Sequence, residues 1–180
     1  NMFPVTNSTL TAEALIERVL TKYELAAPIH CQFLHFGVND TYEVCTKSDF
    51  YYLRVYRRGW RTKGQILAEV EMLEFLGKQG LSVSVGVRRT DGGFLTRIDA
   101  PEGIRYAVLF TEAPRGKAPV RTPQFMEFGK LVAELHIAMD LRPEDKRRFH
   151  IDPHHLLDEP LRIVAPLIEH REEDLRFLTK

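Results

Sequence analysis

Two charged side chains in the first half of the chain sit where ordinary packing would not put them. In Phe50–Arg57, FYYLRVYR, strand alternation places Tyr52, Arg54 and Tyr56 on one face and Tyr51, Leu53 and Val55 on the other. In the next segment, QILAEVEMLEFL, residues Ile66, Val70, Leu73 and Leu76 form an apolar helical stripe, and Glu69 falls inside it. A carboxylate on an apolar face needs a partner, because an unpaired buried charge costs several kcal/mol. Arg54 is the best available one. At ~4 Å and an effective dielectric of about 20, such a pair gains about 4 kcal/mol before desolvation is counted. A guanidinium held this way beneath a sheet is a fixed cation within reach of phosphate oxygens. Each residue also has a plainer reading. A strand Arg commonly snorkels to the surface, and a helix Glu beside a stripe can curl outward. Glu71 and Glu74 lie away from the stripe's centre and read as solvated.

The elements that must position this pair follow from the flanking sequence. Ser8–Tyr23 opens with Ser/Thr caps and carries Leu15, Ile16, Val19 and Leu20 at helical spacing. Ile29–Phe36 and Thr41–Thr46 read as strands around the turn residues Gly37-Val38-Asn39-Asp40. With that turn centred between Val38 and Asn39, Cys31 faces Thr46 and Cys45 points to the opposite face, so the two cysteines read as free thiols. Gly64–Gln79 reads as a helix ended by Gly80. Val83–Arg88 and Phe94–Ile98 flank Thr90-Asp91-Gly92-Gly93 and read as a hairpin. Tyr106–Phe110 is a further strand that runs into a linker, Thr111–Gly116, broken by Pro and Gly. From Thr122-Pro123 onward the sequence is helical, to about Asp140, then over Leu156–His170 and Glu172–Lys180. Short turns between strands predict an antiparallel sheet, hence an α+β protein rather than a doubly wound one.

The totals set outer bounds. In 180 residues, 44% are hydrophobic and 28% charged, which suits one globular domain, or a small lobe plus part of another. Lys plus Arg is 25 and Asp plus Glu is 25, a balance that gives no electrostatic case for nucleic acid or an anionic membrane. No apolar run approaches the ~20 residues of a membrane span, and no secretory leader is recognisable, so a cytoplasmic setting is expected. Asn1 before Met2 reads as a remnant of cloning, with Met2 the native start. Oligomeric state is not legible.

Taken in order, FGVNDTYEV (36–44), YYLRVYR (51–57), AEVEMLEFL (68–76), YAVLFTEAPRG (106–116) and FGKLVAELHIAM (128–139) resemble the N-terminal part of the aminoglycoside phosphotransferase and choline kinase family, which shares the protein-kinase-like fold. The resemblance implies an antiparallel five-stranded sheet plus helix, followed by the first helices of a helical lobe. It implies a nucleotide-binding lobe over 2–110, a hinge over 111–119 and the start of the helical lobe over 120–180. It also implies transfer of the ATP γ-phosphate to a hydroxyl of a small molecule, with Mg²⁺. In that frame Gly37, Asn39 and Thr41 belong to the turn that covers the phosphates, with backbone N–H groups facing the oxygens. Arg54 stands where the family more often has a Lys on the α- and β-phosphates, and Glu69 orients it. Phe110 backs the adenine, whose edge is bound by the backbone of Thr111, Glu112 and Ala113. Tyr52 faces the base. The family's HGD-type loop, with its catalytic Asp, and its metal-binding residues have no counterpart here. Catalytic and metal-binding residues are therefore expected in the remainder of a longer protein. Two alternatives stand beside this: a natural short form that binds a nucleotide or a protein without catalysis, and a bacterial Ser/Thr protein kinase of the same fold.

Histidines give weaker signals. His136 is expected on the buried face of its helix beside Val132 and Leu135, in a packing role. His150, His154 and His155 suggest a metal cluster at first sight, but Pro153 interrupts clean helical spacing and no Cys is near.

Overall fold

The structure is a computed structural model describing residues 3–113 and 122–178, with the side chains of Thr122 and Pro123 outside the description. The expectations for Asn1 and Met2, for the linker from Pro114 to Gly116, and for the hinge beyond Ala113 fall outside the described residues. The chain divides into two compact units, residues up to Glu144 and residues from Asp145 onward.

The first unit is built on a five-stranded antiparallel sheet in the order β1-β2-β3-β5-β4. Its strands are β1 (His30–Phe36), β2 (Asp40–Cys45), β3 (Phe50–Val55), β4 (Thr96–Ala100) and β5 (Gly103–Thr111). The hydrophobic alternation of β2, β3 and β5 loads both faces. Tyr42, Val44, Leu53, Val55, Ala107 and Leu109 face helix α1 (Ala12–Arg18), whose Leu15, together with Val19 and Leu20, closes that core. Tyr56, Val108, Phe110 and Phe94 meet Ile66 and Val70 of α2 (Lys63–Lys78) on the other side. The helix predicted over Ser8–Tyr23 is shorter than its signals. Thr11, not Ser8, caps it, accepting from the Ala14 amide at 3.3 Å, and the chain tightens into a 3₁₀ turn at Leu20–Lys22. α2 starts with a reciprocal capping box: Gln65 N–H donates to Thr62 Oγ1 and Gln65 Oε1 accepts from the Thr62 N–H. It ends before Gly80, whose φ of 85° is open to glycine at little cost.

Two sequence expectations are corrected. Cys31 pairs with Val44, not Thr46. The connection at Gly37–Asn39 is a three-residue loop, and a bulge between Phe33 and His35 adds one residue to β1. Both cysteines are nonetheless free thiols. Second, Val83–Arg88 and Phe94–Ile98 do not form a hairpin. β4 starts at Thr96 and pairs with the first half of β5 through a tight turn at Pro101-Glu102. Residues 85–87 lie along the second half of the same edge, with Val87 N–H donating to the Leu109 carbonyl at 2.8 Å and Thr111 N–H to the Val85 carbonyl at 2.9 Å. Two segments that share one edge end to end cannot pair with each other. Gly86 permits this arrangement, since a Cβ there would stand 2.5 Å from Val70 Cγ1.

Burial, with smaller contributions from Glu13 and Cys45, pushes the Cys31 thiol up to about 11. In the folded chain at pH 8, alkylation of Cys31 by iodoacetamide is therefore expected to run about a hundredfold slower than in the denatured chain. Peptide mapping of timed samples reads this directly, and equal rates in the two states would contradict it.

After the sheet comes α3 (Thr122–Asp140). Ala138 is buried on it, while Phe125, Met126, Phe128, Leu131 and Ile137 are exposed. His136 is exposed too, a correction to its expected packing role. The partly buried positions Val132, Leu135 and Met139 form a narrow i, i+3, i+7 stripe, and residue 136 lies about 100° away from Leu135. The second unit contains a π-helical turn at His154–Asp158, then α4 (Glu159–Val164), a 3₁₀ turn at Ala165–Leu167, and α5 (Glu172–Leu178). Leu157, Ile163, Leu167 and Phe177 are exposed on it. Among the described residues no helix is long and apolar enough to cross a membrane.

Candidate functional site

Arg54 and Glu69 meet. Strand parity turns Arg54 toward α2, and the helix delivers Glu69 from the turn between Ile66 and Val70. Arg54 Nη1 lies 2.8 Å from Glu69 Oε1. The side chains are 37% and 24% exposed, so the pair is open to solvent on one side rather than sealed in the core. The guanidinium carbon also lies 4.9 Å from the Phe110 ring centroid and 5.9 Å from that of Tyr56. One carboxylate and two rings therefore hold the cation in place, and a guanidinium carries five N–H donors with which to meet further acceptors.

The Tyr56 hydroxyl is buried beside Arg54 and Glu69. Burial, then the Glu69 carboxylate, pushes its pKa up to about 12, so it stays neutral.

The other residues expected in the site spread along β3. Thr41 is directly opposite Arg54 and shares its face. In the turn, Gly37 N–H donates to the Asn39 carbonyl at 3.3 Å, so that amide is engaged within the turn itself. Asn39 Oδ1 accepts from the Arg57 N–H at 3.3 Å, which ties the turn to the end of β3. Phe110 is 3% exposed and lies opposite Tyr52 in the sheet register. Thr111 is already engaged: its N–H donates to the Val85 carbonyl, its own carbonyl accepts from Ser84 Oγ at 2.5 Å, and its Oγ1 accepts from the Val85 N–H at 3.1 Å. Ala113 is exposed and Glu112 half-buried. Tyr51 is opposite Thr111 and Val55 is opposite Ala107, so the turn end and the Thr111 end of the face lie several residues of β3 apart. Three residues, from Arg54 to Tyr51, span about 10 Å. The arrangement suits an elongated ligand lying along β3, with the Arg54 cation and the Phe110 ring beside each other.

Glu74 does not stand alone in solvent as the sequence suggested. Arg88 grips it with Nη2 at 2.9 Å from Oε1 and 3.0 Å from Oε2, and holds its carboxyl below the usual range. His154 contacts Asp158 at 3.2 Å, and His155 contacts Glu159 at 2.9 Å and stacks on Phe149. Among the described residues no three His, Cys, Asp or Glu side chains converge as a metal site.

Sequence reasoning missed the most buried ionic group among the described residues. Arg105 is 1% exposed and contacts Asp40 Oδ2 at 2.7 Å and Glu102 Oε1 at 3.3 Å. It also donates to the carbonyls of Ser8, Val55 and Tyr56 at 2.7, 3.2 and 3.0 Å. All five guanidinium N–H donors are thus used. The network ties the residue after the turn, Asp40, to the chain just beyond Arg54. A signal for it was present: Arg105 shares the parity of Ala107 and Leu109, the buried side of β5.

No protein-family model matches the chain. It is 38% identical over 178 residues to an uncharacterized protein of Synechocystis, an alignment that covers 98% of this chain and 49% of that protein. An uncharacterized protein of Deinococcus radiodurans is 37% identical over 167 residues, which covers 92% of this chain and 48% of its own length. The chain thus spans about half the length of the relatives it matches. Among solved structures, a microcompartment-associated aminopropanol kinase superposes with a TM-score of 0.66 at 23% identity, over 82% of this chain and 47% of its own. An amicoumacin kinase, in complex with AMP-PNP, Ca²⁺ and Ami, gives 0.65 at 18% identity over 92% and 54%. A spectinomycin phosphotransferase, in complex with ADP and spectinomycin, gives 0.58 at 18% identity over 89% and 48%. The fold is the N-terminal lobe of these kinases together with the first helices that follow it.

Proposed function

We propose that this chain is the ATP-binding part of a phosphotransferase that moves the γ-phosphate of ATP to a hydroxyl of a small molecule. The observation that carries the reading is the Arg54–Glu69 ion pair, half open to solvent on the α2 face of the sheet. A surface pair adds little to stability, whereas a cation held by a carboxylate and two rings is suited to binding phosphate. In this reading Arg54 takes the α- and β-phosphates, Glu69 orients it, and the turn from Gly37 through Asn39 to Thr41 covers them. Phe110 and Tyr52 wall the adenine. Thr111 anchors the end of β5, and the chain at Glu112 and Ala113 borders the base edge.

The domain proposal follows: a nucleotide lobe over 2–110, a hinge over 111–119 and the start of a helical lobe over 120–180. The exposed apolar residues of α3, Phe125, Met126 and Phe128 among them, support it, since such a face calls for further packing. The catalytic base and the Mg²⁺ ligands then belong to the remainder of a longer protein, and its setting is the cytoplasm. Bound Mg²⁺ would neutralise charge on the phosphates. The residues present here position the nucleotide and take no part in proton transfer.

Calorimetric titration of the chain with Mg-ATP and with adenosine tests the reading. Mg-ATP is expected to bind at least tenfold more tightly, because only it reaches the cation. Equal affinity for the two, or none for either, would remove the basis for a phosphate site.

A further inference from the structure

The bulge on β1 has the effect of re-aiming one side chain. Before it, Cys31 and Phe33 lie opposite Val44 and Tyr42 and share their face, the one that packs on α1. Simple alternation would return His35 to that same face. The register instead shifts between Phe33 and His35, and His35 pairs with Thr41. Thr41 is in turn opposite Arg54. Directly opposed residues of antiparallel strands share a face, so His35, Thr41 and Arg54 form one row across β1, β2 and β3. The row spans two strand spacings, about 10 Å.

Gly37 bears on the same residue independently. Its φ is not positive, so backbone conformation does not call for glycine there. A Cβ at position 37 would stand 3.0 Å from His35 Nε2 and 3.4 Å from Cδ2. The absent side chain is what lets the imidazole lie against the turn. His35 is exposed. The Gly37 amide, meanwhile, is engaged with Asn39.

We infer that His35 is a phosphate-binding residue. Its imidazole N–H donates to a phosphate oxygen of the nucleotide from the β1 end of the row, while Arg54 holds the phosphates from the β3 end. The inference rests on the proposed nucleotide site and adds to it a side-chain donor beneath the covering turn. Bulges recur beside active sites for this kind of re-aiming.

Titration of wild type, His35→Ala, His35→Gln and Gly37→Ala with Mg-ATP and with adenosine separates the outcomes. His35→Ala is expected to weaken Mg-ATP about tenfold and leave adenosine unchanged. His35→Gln, which keeps a donor, should recover part of the loss. Gly37→Ala should weaken Mg-ATP by displacing the ring, and add nothing in the His35→Ala background. Wild-type affinity for Mg-ATP in His35→Ala, alongside a loss in Arg54→Ala, would overturn the role of His35 and leave the nucleotide site standing. A wild type that does not distinguish Mg-ATP from adenosine would overturn both. His35 is exposed on an edge strand, so these variants should melt within a few degrees of wild type.

Discussion

Replacing Arg105 with Ala is expected to lower the stability of the first unit by about 3–5 kcal/mol, the usual consequence of removing one partner from a buried ion group. The guanidinium and both its carboxylate partners are nearly inaccessible, with side-chain exposures of 0%, 3% and 1% for Arg105, Asp40 and Glu102. Without it, two carboxylates remain in the interior with no cation, and the carbonyls of Ser8, Val55 and Tyr56 lose a donor. Arg105→Lys should recover only part of this, because an ammonium has three donors and no fork. Denaturant titration followed by circular dichroism measures the difference. Because a domain of this size is stable by only about 5–15 kcal/mol, loss of the cooperative transition in Arg105→Ala also counts as the expected result. A midpoint within error of wild type would show that the network contributes nothing to stability.

The same network sets an acid limit. Burial alone would raise the pKa of Glu102, but the Ser8 hydroxyl at 2.7 Å, the Ser8 amide and Arg105 together hold it below the usual carboxylate range. A depressed carboxylate contributes stability that is present above its unfolded value of about 4.3 and is lost as pH falls through the folded value. Stability should therefore decline below about pH 4, and Ser8→Ala should make that decline shallower.

Fold and site were not equally legible. The stripe of α2, the aromatic strand β3 and the antiparallel order could be read because each follows a single period over many residues. Glu69 could be found because it breaks its stripe. The 83–88 segment misled because its Val83-Val85-Val87 alternation is genuine, yet it marks an edge shared with β4, and sequence periodicity does not say which neighbour a strand has. The position of His35 depended on one inserted residue in β1, and a bulge leaves no local signature in HCQFLHFG. Arg105 was passed over for a different reason. A lone Arg in a strand usually reaches solvent, and only its partners Asp40 and Glu102, 65 and 3 residues away in sequence, make burial tolerable. The rule that exposed Glu69, a charge in register with buried neighbours, applied equally to Arg105. His136 shows the converse. Its position beside Leu135 suggested burial, but α3 buries little beyond Ala138.

Arg54→Ala is expected to weaken Mg-ATP binding about a hundredfold while leaving adenosine binding and stability nearly unchanged. The size follows from two losses that act together. A charge-assisted contact to phosphate is worth about 1.5–3 kcal/mol, and Glu69, at 24% exposure, would then face the phosphates as a like charge without its cation. Stability should change by less than about 1 kcal/mol, because both members of the pair are substantially solvated. The contrast with Arg105 is the point of the experiment: one guanidinium is spent on the fold, and the other is held open. Arg54→Lys keeps the charge but not the fork, and should fall between wild type and Ala. Glu69→Gln removes the orienting charge and should cost Mg-ATP about tenfold by leaving the guanidinium less well placed, at the same modest cost in stability. In a double-mutant cycle the Arg54–Glu69 coupling should be small in unfolding free energy and large in nucleotide affinity. The reverse pattern, large in stability and absent in affinity, would make the pair a structural brace and end the case for a phosphate-binding cation on this face of the sheet.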